Sequence, residues 1–278
     1  MPAKVTVPEV RSRKRARGSP ALVMLTAYDT PGARIADAAG VDMILVGDSL
    51  ANNVLGLEHT FQVDMGVMAH HVAAVGRATP RALVIGDMPW LSYHVSTEDT
   101  IRNAAALVRA GAQAVKLEGG RPRVPMIEAL VATEIPVMGH LGLTPQSVHT
   151  MGGYKVQGKE AAAADALVDE AKAITAAGCF AIVLEGMPDV VANRITAEVD
   201  VPTIGIGAGA GCDGQVLVFH DLLGLGVGKV PKFVRRYADL ASLAVEAVST
   251  WAADVRSGAF PSDAETYHQP PDPGPGGP

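Results

Sequence analysis

The chain has 278 residues, of which 48% are hydrophobic and 4% aromatic, and its net charge at pH 7 is -6. This length and apolar content suit one compact domain with a large core, and the acidic balance argues against a nucleic-acid surface, which would show as a basic face. We therefore expect a single-domain protein whose partner is a small molecule.

The two cysteines, Cys179 and Cys212, stand in no CxxC or Cys/His spacing. Their placement argues against a disulfide framework and against a zinc site. No apolar stretch approaches the roughly 18 to 20 residues of a membrane span, and the first twenty residues contain no apolar region of a secretory signal. We predict a cytoplasmic protein without membrane contact.

Both ends of the chain differ in composition from its middle. Residues 10–17 read VRSRKRAR, a basic run without aromatic residues. We interpret it as the solvated face of a helix before the first strand, in preference to a targeting or nucleic-acid-binding arm. Residues 269–278 read QPPDPGPGGP and are predicted to form a disordered tail, because this composition cannot form helix or sheet. The catalytic domain, with its N-terminal helical extension, is thus expected to span residues 1–268.

Short apolar runs with the length of buried strands recur along the chain. They lie at residues 22–26, 43–47, 83–86, 114–117, 137–139, 181–184, 203–206 and 216–219. Alanine-rich segments with helical spacing separate most of them, such as 100–109 before Gly111 and 161–177 before Gly178. This alternation predicts a parallel α/β sheet, and eight runs predict a (β/α)8 TIM barrel. The interval 207–215 is too short for a full crossover helix, which leaves an open doubly wound sheet as the alternative.

Acidic residues stand at the ends of several of these runs. Asp48 and Asp87 each follow an apolar residue and a glycine, whereas Glu118 and Glu185 directly follow a leucine. Since the carboxyl ends of parallel strands meet at one rim, we expect these acids around a single opening, where such barrels keep their active sites. For any one acid the alternative is a helix N-cap or a structural salt bridge.

The two-residue period of a strand predicts which side chains share a face. It places Lys116 on the face of the nearby acids, and it places Ile44 and Val46 on the face of Asp48. Carboxylates crowded into one opening repel one another unless a cation lies between them. The sequence therefore predicts a metal, a buried lysine, or both. Carboxylates with a hydroxyl neighbour favour a hard cation such as Mg²⁺, with Asp48 and Asp87 as its first candidate ligands.

Two glycine-rich stretches partly match nucleotide-binding motifs. Residues 153–160 fit a P-loop except that Glu160 replaces the Ser or Thr that binds Mg²⁺, and no strand directly precedes them. Residues 205–210 fit the loose dinucleotide pattern, but no helical segment of normal length follows. We interpret the glycines around Tyr154 as part of a mobile loop over the barrel mouth, and residues 205–210 as a tight turn after the seventh strand.

Five strings, in order along the chain, resemble those of the ketopantoate hydroxymethyltransferases. They are VGDS at 46–49, VKLEGG at 115–120, GHLGLTPQS at 139–147, GGYKVQG at 152–158 and IGIGAG at 204–209. The resemblance implies a (β/α)8 barrel, Mg²⁺ dependence and a high-order homo-oligomer, a decamer. It also implies the first committed step of pantothenate synthesis, in which a one-carbon unit from 5,10-methylenetetrahydrofolate is added to C3 of 3-methyl-2-oxobutanoate (α-ketoisovalerate), giving 2-dehydropantoate.

The resemblance also implies roles for individual residues. Asp48 and Asp87 would hold Mg²⁺, with Glu118 close by through a water, and Glu185 would be the catalytic base. Ser49 would receive the substrate carboxylate.

Substrate contacts implied by the resemblance extend to four further positions. Lys116 would bind the substrate carboxylate together with the serine, and His140 would hydrogen-bond a substrate or product oxygen. The metal ligands Asp48 and Asp87 would also contact the keto acid. A lone histidine is, however, as often a hydrogen-bonded core residue as a catalytic one.

Other functions stay open at this point. Within enzymes the alternative is a Mg²⁺-dependent lyase or mutase of the isocitrate lyase and phosphoenolpyruvate mutase kind, although a Lys-Lys-Cys-Gly-His type motif is absent. Outside enzymes, the chain could be a barrel-derived binding or regulatory protein without turnover. The intact set of acids argues against that.

Overall fold

The fold is a closed ring of parallel strands. The computed structural model describes residues 3–14, 20–226 and 230–269. The eight strands in these residues are β1 (Leu22–Thr26), β2 (Met43–Val46), β3 (Leu83–Asp87), β4 (Ala114–Glu118), β5 (Val137–Gly142), β6 (Ala181–Glu185), β7 (Thr203–Ile206) and β8 (Gly214–Leu217). Each pairs with the next in parallel, and β8 pairs with β1. The predicted (β/α)8 barrel is confirmed, and the open-sheet alternative is excluded.

The eighth strand lies two residues earlier than the sequence predicts. It begins at Gly214, which pairs with Leu22 of β1. A Cβ at Gly214 would lie 2.5 Å from the Leu22 carbonyl oxygen, so only glycine allows this close approach. At the other end, the Phe219 N–H donates to Thr26 Oγ1 at 3.0 Å and begins a helix. No helix lies between β7 and β8 in the described residues, as the short interval had indicated.

Helices connect the strands and cover the outside of the barrel. They are α1 (Val7–Ser12), α2 (Thr30–Ala38), α3 (Leu50–Asn53), α4 (Met65–Gly76), α5 (Thr97–Ala110), α6 (Val124–Ala132), α7 (Val148–Met151), α8 (Ala161–Ala176), α9 (Asp189–Glu198), α10 (Phe219–Leu223) and α11 (Leu240–Ser257). In α5 the Ser96 side chain caps the N-terminus by accepting from the Asp99 N–H, and Gly111 ends the helix with φ 121°. The buried residues of α5 recur at helical spacing, so one face packs on the sheet.

Successive side chains of each strand point to opposite faces of the sheet, which divides the core into two layers. Met43 and Leu45 of β2 belong to the cluster that fills the barrel, whereas Ile44 and Val46 belong to the cluster between sheet and helices. Asp48 nevertheless lines the cleft at the barrel mouth. The predicted common face of Ile44, Val46 and Asp48 was therefore wrong, because β2 ends at Val46 and its alternation does not extend to the acid.

The N-terminal extension covers the opposite end of the barrel. Val5 and Val10 are buried in the same cluster as the barrel interior. Arg13 pairs with Asp42, and Lys14 donates to the Thr196 carbonyl oxygen at 2.6 Å. The helical extension is confirmed. The basic run is only partly a solvated face, because two of its cations bind the barrel, and residues 15–17 lie outside the described part.

The C-terminal helix α11 has a different environment from the other long helices. None of its residues is buried, and its exposed side chains include Leu243, Val248 and Trp251. Nothing is described beyond Gln269, so the predicted tail at 270–278 lies outside the described residues. Within the described part of the chain, no helix is both long and apolar enough to cross a membrane.

Candidate active site

A cleft opens at the carboxyl ends of the strands and encloses about 630 Å³ of empty space, open solvent included. All seven residues predicted for the site line this cleft: Asp48, Ser49, Asp87, Lys116, Glu118, His140 and Glu185. They come from the ends of β3 to β6 and from the residues that follow β2. The structure thus brings together side chains that five different parts of the sequence supply, at the end of the barrel where such enzymes carry their chemistry.

Strand register explains how acids and cations alternate along the rim. Asp87 lies opposite Lys116, and Glu118 opposite His140. Lys116 Nζ is 3.0 Å from Asp87 Oδ1 and 4.0 Å from Glu118 Oε1. His140 Nδ1 is 3.3 Å from Glu118 Oε1, and its Nε2 is 3.2 Å from Glu185 Oε2. These five side chains form a continuous row of alternating charge, here called the rim row.

The acids of the site are incompletely neutralised. Burial, together with the nearby Asp48, raises the pKa of Asp87 to about 7 against the opposing effect of Lys116. Burial and the nearby Glu118 also raise the pKa of Asp48. A carboxyl group whose pKa is raised by burial and by other acids lacks compensating positive charge.

The pKa values of the two basic residues of the rim row are also raised, which for a basic group favours the charged form. Burial by itself lowers the pKa of Lys116, but three neighbouring carboxylates outweigh it and raise the pKa. Burial and Lys116 lower the pKa of His140, yet the adjacent Glu118 and Glu185 raise it to about 9. Both side chains are therefore cationic at neutral pH. Two cations among four carboxylates leave the cleft with room for a further divalent positive charge.

The carboxylate oxygens of the site are suitable ligands for Mg²⁺. The Asp48 N–H donates to Asp87 Oδ2 at 3.1 Å, which holds the two carboxyl groups side by side. Asp87 Oδ1 and Glu118 Oε1 are buried and receive no regular hydrogen bond. Among the described residues, no three His, Cys, Asp or Glu side chains are grouped so that they alone could hold a metal. Mg²⁺ typically takes one or two protein carboxylates and leaves its other positions to water and substrate, as this arrangement allows.

Gln146 is a site residue that the sequence reasoning missed. Its Nε2 donates to Asp48 Oδ2 at 2.8 Å and to the Met88 carbonyl oxygen at 3.1 Å, and its backbone N–H donates to Glu118 Oε2 at 3.1 Å. The Tyr93 hydroxyl donates to Gln146 Oε1 at 2.6 Å. Gln146 lies inside the motif at 139–147, but only the fold reveals its contact with an acid 98 residues away.

Ser49 is oriented by a pair of hydroxyls that were also missed. Its Oγ lies 2.8 Å from the Tyr28 hydroxyl, to which Thr26 Oγ1 donates at 3.0 Å. Ser49 stands at the N-cap position of α3, yet its side chain makes no capping hydrogen bond. The N-cap alternative therefore does not account for the Asp48-Ser49 pair, and both side chains face the cleft.

Comparison with known proteins gives a consistent result over nearly the whole chain. The sequence profile of the ketopantoate hydroxymethyltransferase family matches residues 4–263. The 3-methyl-2-oxobutanoate hydroxymethyltransferase 2 of Bradyrhizobium diazoefficiens is 55% identical over 267 residues, which cover 96% of this chain and 90% of that protein. The 3-methyl-2-oxobutanoate hydroxymethyltransferase of Ignicoccus hospitalis is 54% identical over 260 residues, covering 94% of this chain and 98% of that protein.

Solved structures share the barrel at low sequence identity. Phosphoenolpyruvate phosphomutase from Streptomyces platensis subsp. rosaceus superposes with a TM-score of 0.59 at 16% identity, covering 91% of this chain and 88% of that one. Phosphonopyruvate hydrolase, solved in complex with oxalate and Mg²⁺, superposes with a TM-score of 0.55 at 16% identity, covering 92% of each chain. At such identities the likeness shows the fold alone.

Proposed function

Because the chain belongs to the ketopantoate hydroxymethyltransferase family, we propose that it transfers a hydroxymethyl group from 5,10-methylenetetrahydrofolate to C3 of 3-methyl-2-oxobutanoate, with Mg²⁺ as cofactor. The product is 2-dehydropantoate, in the biosynthesis of pantothenate. The enzyme class is that of the relatives, a transferase acting on small molecules. The observation that carries the detailed proposal is the rim row, in which an accessible carboxylate adjoins a buried group of cations and acids.

Glu185 has the position of a general base. Its side chain is 17% exposed, whereas those of Asp87 and Glu118 are almost completely buried, so Glu185 is the rim-row acid most open to a substrate. His140 lies 3.2 Å from the Glu185 carboxylate, and its positive charge attracts that carboxylate and orients it at the rim. The proton it takes is the one on C3 of the keto acid, next to the carbonyl group.

Lys116 and Ser49 suit the binding of the keto acid. The Lys116 ammonium group is buried at the centre of the rim row, where water screens its charge little, and it attracts the substrate carboxylate and the negative charge that develops on proton loss. The Ser49 hydroxyl, held by Tyr28, donates to the same carboxylate. His140 is positioned to contact a substrate or product oxygen while it supports the base.

Asp48 and Asp87 would hold Mg²⁺ directly, with Glu118 acting through a water. When bound, the ion supplies positive charge beside the keto and carboxylate oxygens and makes the C3 proton more acidic. After Glu185 removes that proton, C3 forms a bond to the methylene carbon of the folate, and both bonds from that carbon to the folate nitrogens N5 and N10 break. One nitrogen takes the proton held by Glu185 and the other takes a proton from water. Water supplies the hydroxyl group of the product.

The proposal is tested by following the C3 proton. Incubation of the protein with 3-methyl-2-oxobutanoate in D₂O, monitored by proton NMR, should show exchange at C3 that requires Mg²⁺ and stops with a chelator. Addition of 5,10-methylenetetrahydrofolate should convert the keto acid to 2-dehydropantoate and release tetrahydrofolate. Absence of both exchange and product at saturating Mg²⁺ would contradict the proposal. Binding without exchange would favour a non-catalytic protein, and cleavage of 2-hydroxy or 2-keto diacids would favour a lyase.

We also propose that the chain forms a homo-oligomer, a decamer by family resemblance. The support from the structure is α11, on which Ala244, Val248, Trp251 and Val255 form an apolar stripe at helical spacing. Within the described residues this stripe is not buried, although the Trp251 ring contacts Phe260. A lone helix of this length is marginally stable in water, and packing against a second copy would stabilise it. Light scattering gives the particle mass directly. The cytoplasmic location stays a prediction.

A further inference from the structure

The cleft has a second wall whose chemistry differs from that of the rim row. In a closed ring of eight strands, β7 and β8 lie across the opening from β3 and β4. The residues that this second wall contributes to the cleft are apolar except for one carboxylate: Ile206, Val216, Leu217, Val218, Phe233 and Asp221. Neither the metal ligands nor the proposed base come from this wall.

Asp221 is a half-buried acid that has no hydrogen-bond or ion-pair partner among the described residues. It lies in the first turn of α10, and no described group donates a hydrogen bond to its carboxylate or pairs with it within 4.0 Å. Burial raises the pKa of Asp221, while His220 and Arg236 act in the opposite direction from greater distance. Two acceptor oxygens in an apolar wall, without donors of their own, are suited to a ligand that presents N–H groups.

Phe233 gives the same wall a flat face. Its ring packs on Gly207, where a Cβ would lie 2.8 Å from the Phe233 Cδ1 atom and where φ is +61°. Both the close approach and the left-handed backbone require glycine at this position. The ring is 38% exposed and borders the cleft, so one of its faces remains available to a ligand.

We propose that this second wall binds the pterin ring of the one-carbon donor, with Asp221 accepting hydrogen bonds from the ring N3–H and the 2-amino group while Phe233 stacks on the ring. This inference rests on the proposed function, which supplies the folate. The pyrimidine edge of the pterin places two N–H donors side by side, which matches the two oxygens of a carboxylate. The keto acid offers only acceptors and a branched alkyl group, so Asp221 repels its carboxylate.

The extent of the cleft and the positions of its two walls agree with separate binding of the keto acid and the pterin. The cleft is continuous from the rim row to the second wall, since residues of both line it. With the keto acid on the rim row and the pterin on the opposite wall, the methylene carbon that the pterin nitrogen carries faces C3 across the opening.

The test compares Asp221→Asn with the wild type by calorimetric titration of tetrahydrofolate under anaerobic conditions. Asp221→Asn should weaken binding about 10- to 100-fold, the usual loss when a hydrogen-bonded charged acceptor is replaced. Asp169→Asn, the same change at an exposed position on α8, should bind as the wild type does. Exchange of the keto-acid C3 proton, which requires Mg²⁺ and the rim row but not the second wall, establishes that the Asp221 variant is folded.

A folate analogue with a methyl group in place of the 2-amino group identifies the contact itself. The wild type should bind 2-desamino-2-methyl-tetrahydrofolate more weakly than tetrahydrofolate, whereas Asp221→Asn should discriminate little between them, because the two changes remove the same interaction. Equal discrimination by both proteins, or undiminished binding by Asp221→Asn, would overturn the inference and leave the proposed function intact. Failure of the wild type to bind tetrahydrofolate at all would instead overturn the proposed donor.

Discussion

Replacement of Gln146 by Leu tests whether this side chain holds the metal-site acid Asp48 in place. The substitution keeps an apolar side chain of similar size but removes the hydrogen bonds to Asp48, the Met88 carbonyl oxygen and Tyr93. A hydrogen bond to a charged group contributes about 1.5 to 3 kcal/mol and each neutral one about 1 kcal/mol. The expected loss in free energy of unfolding is therefore roughly 3 to 5 kcal/mol.

Urea unfolding measures this loss, and calorimetric titration of the keto acid at fixed Mg²⁺ measures the effect on the site. Binding should weaken together with stability, because Asp48 loses the donor that orients it. Gln157→Leu is the matched control, since it removes a single exposed hydrogen bond to the Lys155 carbonyl oxygen and should change unfolding by less than about 1 kcal/mol. If Gln146→Leu unfolds and binds as its control does, the argument that Gln146 holds Asp48 in place is wrong.

Three further predictions concern the base, the metal and the oligomer. Glu185→Gln should lower turnover by roughly 10² to 10⁴, the contribution of a general base, while Mg²⁺ binding is nearly kept; an undiminished rate of C3 exchange in NMR would count against it. Asp87→Ala should weaken Mg²⁺ and keto-acid binding together in calorimetry, and tight Mg²⁺-dependent binding by this variant would exclude the assigned ligand. Trp251→Glu should reduce the particle mass seen by light scattering, whereas Ser249→Glu on the other side of α11 should leave it unchanged, and equal masses for both would refute a contact through the apolar stripe.

The pattern of apolar runs in the sequence was sufficient to predict the strands and the rim acids that line the cleft. Each buried strand is a continuous apolar run, and each rim acid stands at or just after the end of a run, so closing the ring brings the acids together. The same reasoning failed where the backbone leaves the strand. In β2 the alternation stops at Val46, and the face assigned to Asp48 could not be extrapolated through Gly47.

Contacts between distant segments could not be predicted from the sequence. Gln146 meets Asp48 only because two loops from different strands converge above the barrel. Asp221 could not be recognised from the sequence because the eighth strand was predicted to run to residue 219. That prediction does not allow for the short helix that begins at Phe219. Such residues carry no periodic signal, because their role depends on tertiary geometry and not on local propensity.

Closure of the ring has a consequence for how the polypeptide is made. Leu22 in β1 completes its pairing with Gly214 in β8, so β1 keeps one edge unmatched until β8 has been translated, nearly 200 residues later. An unmatched edge can pair with a neighbouring nascent chain, and contacts of such long sequence separation form slowly. Translation pauses before residue 214 therefore prolong exposure of that edge, and chaperone demand during synthesis should rise with them.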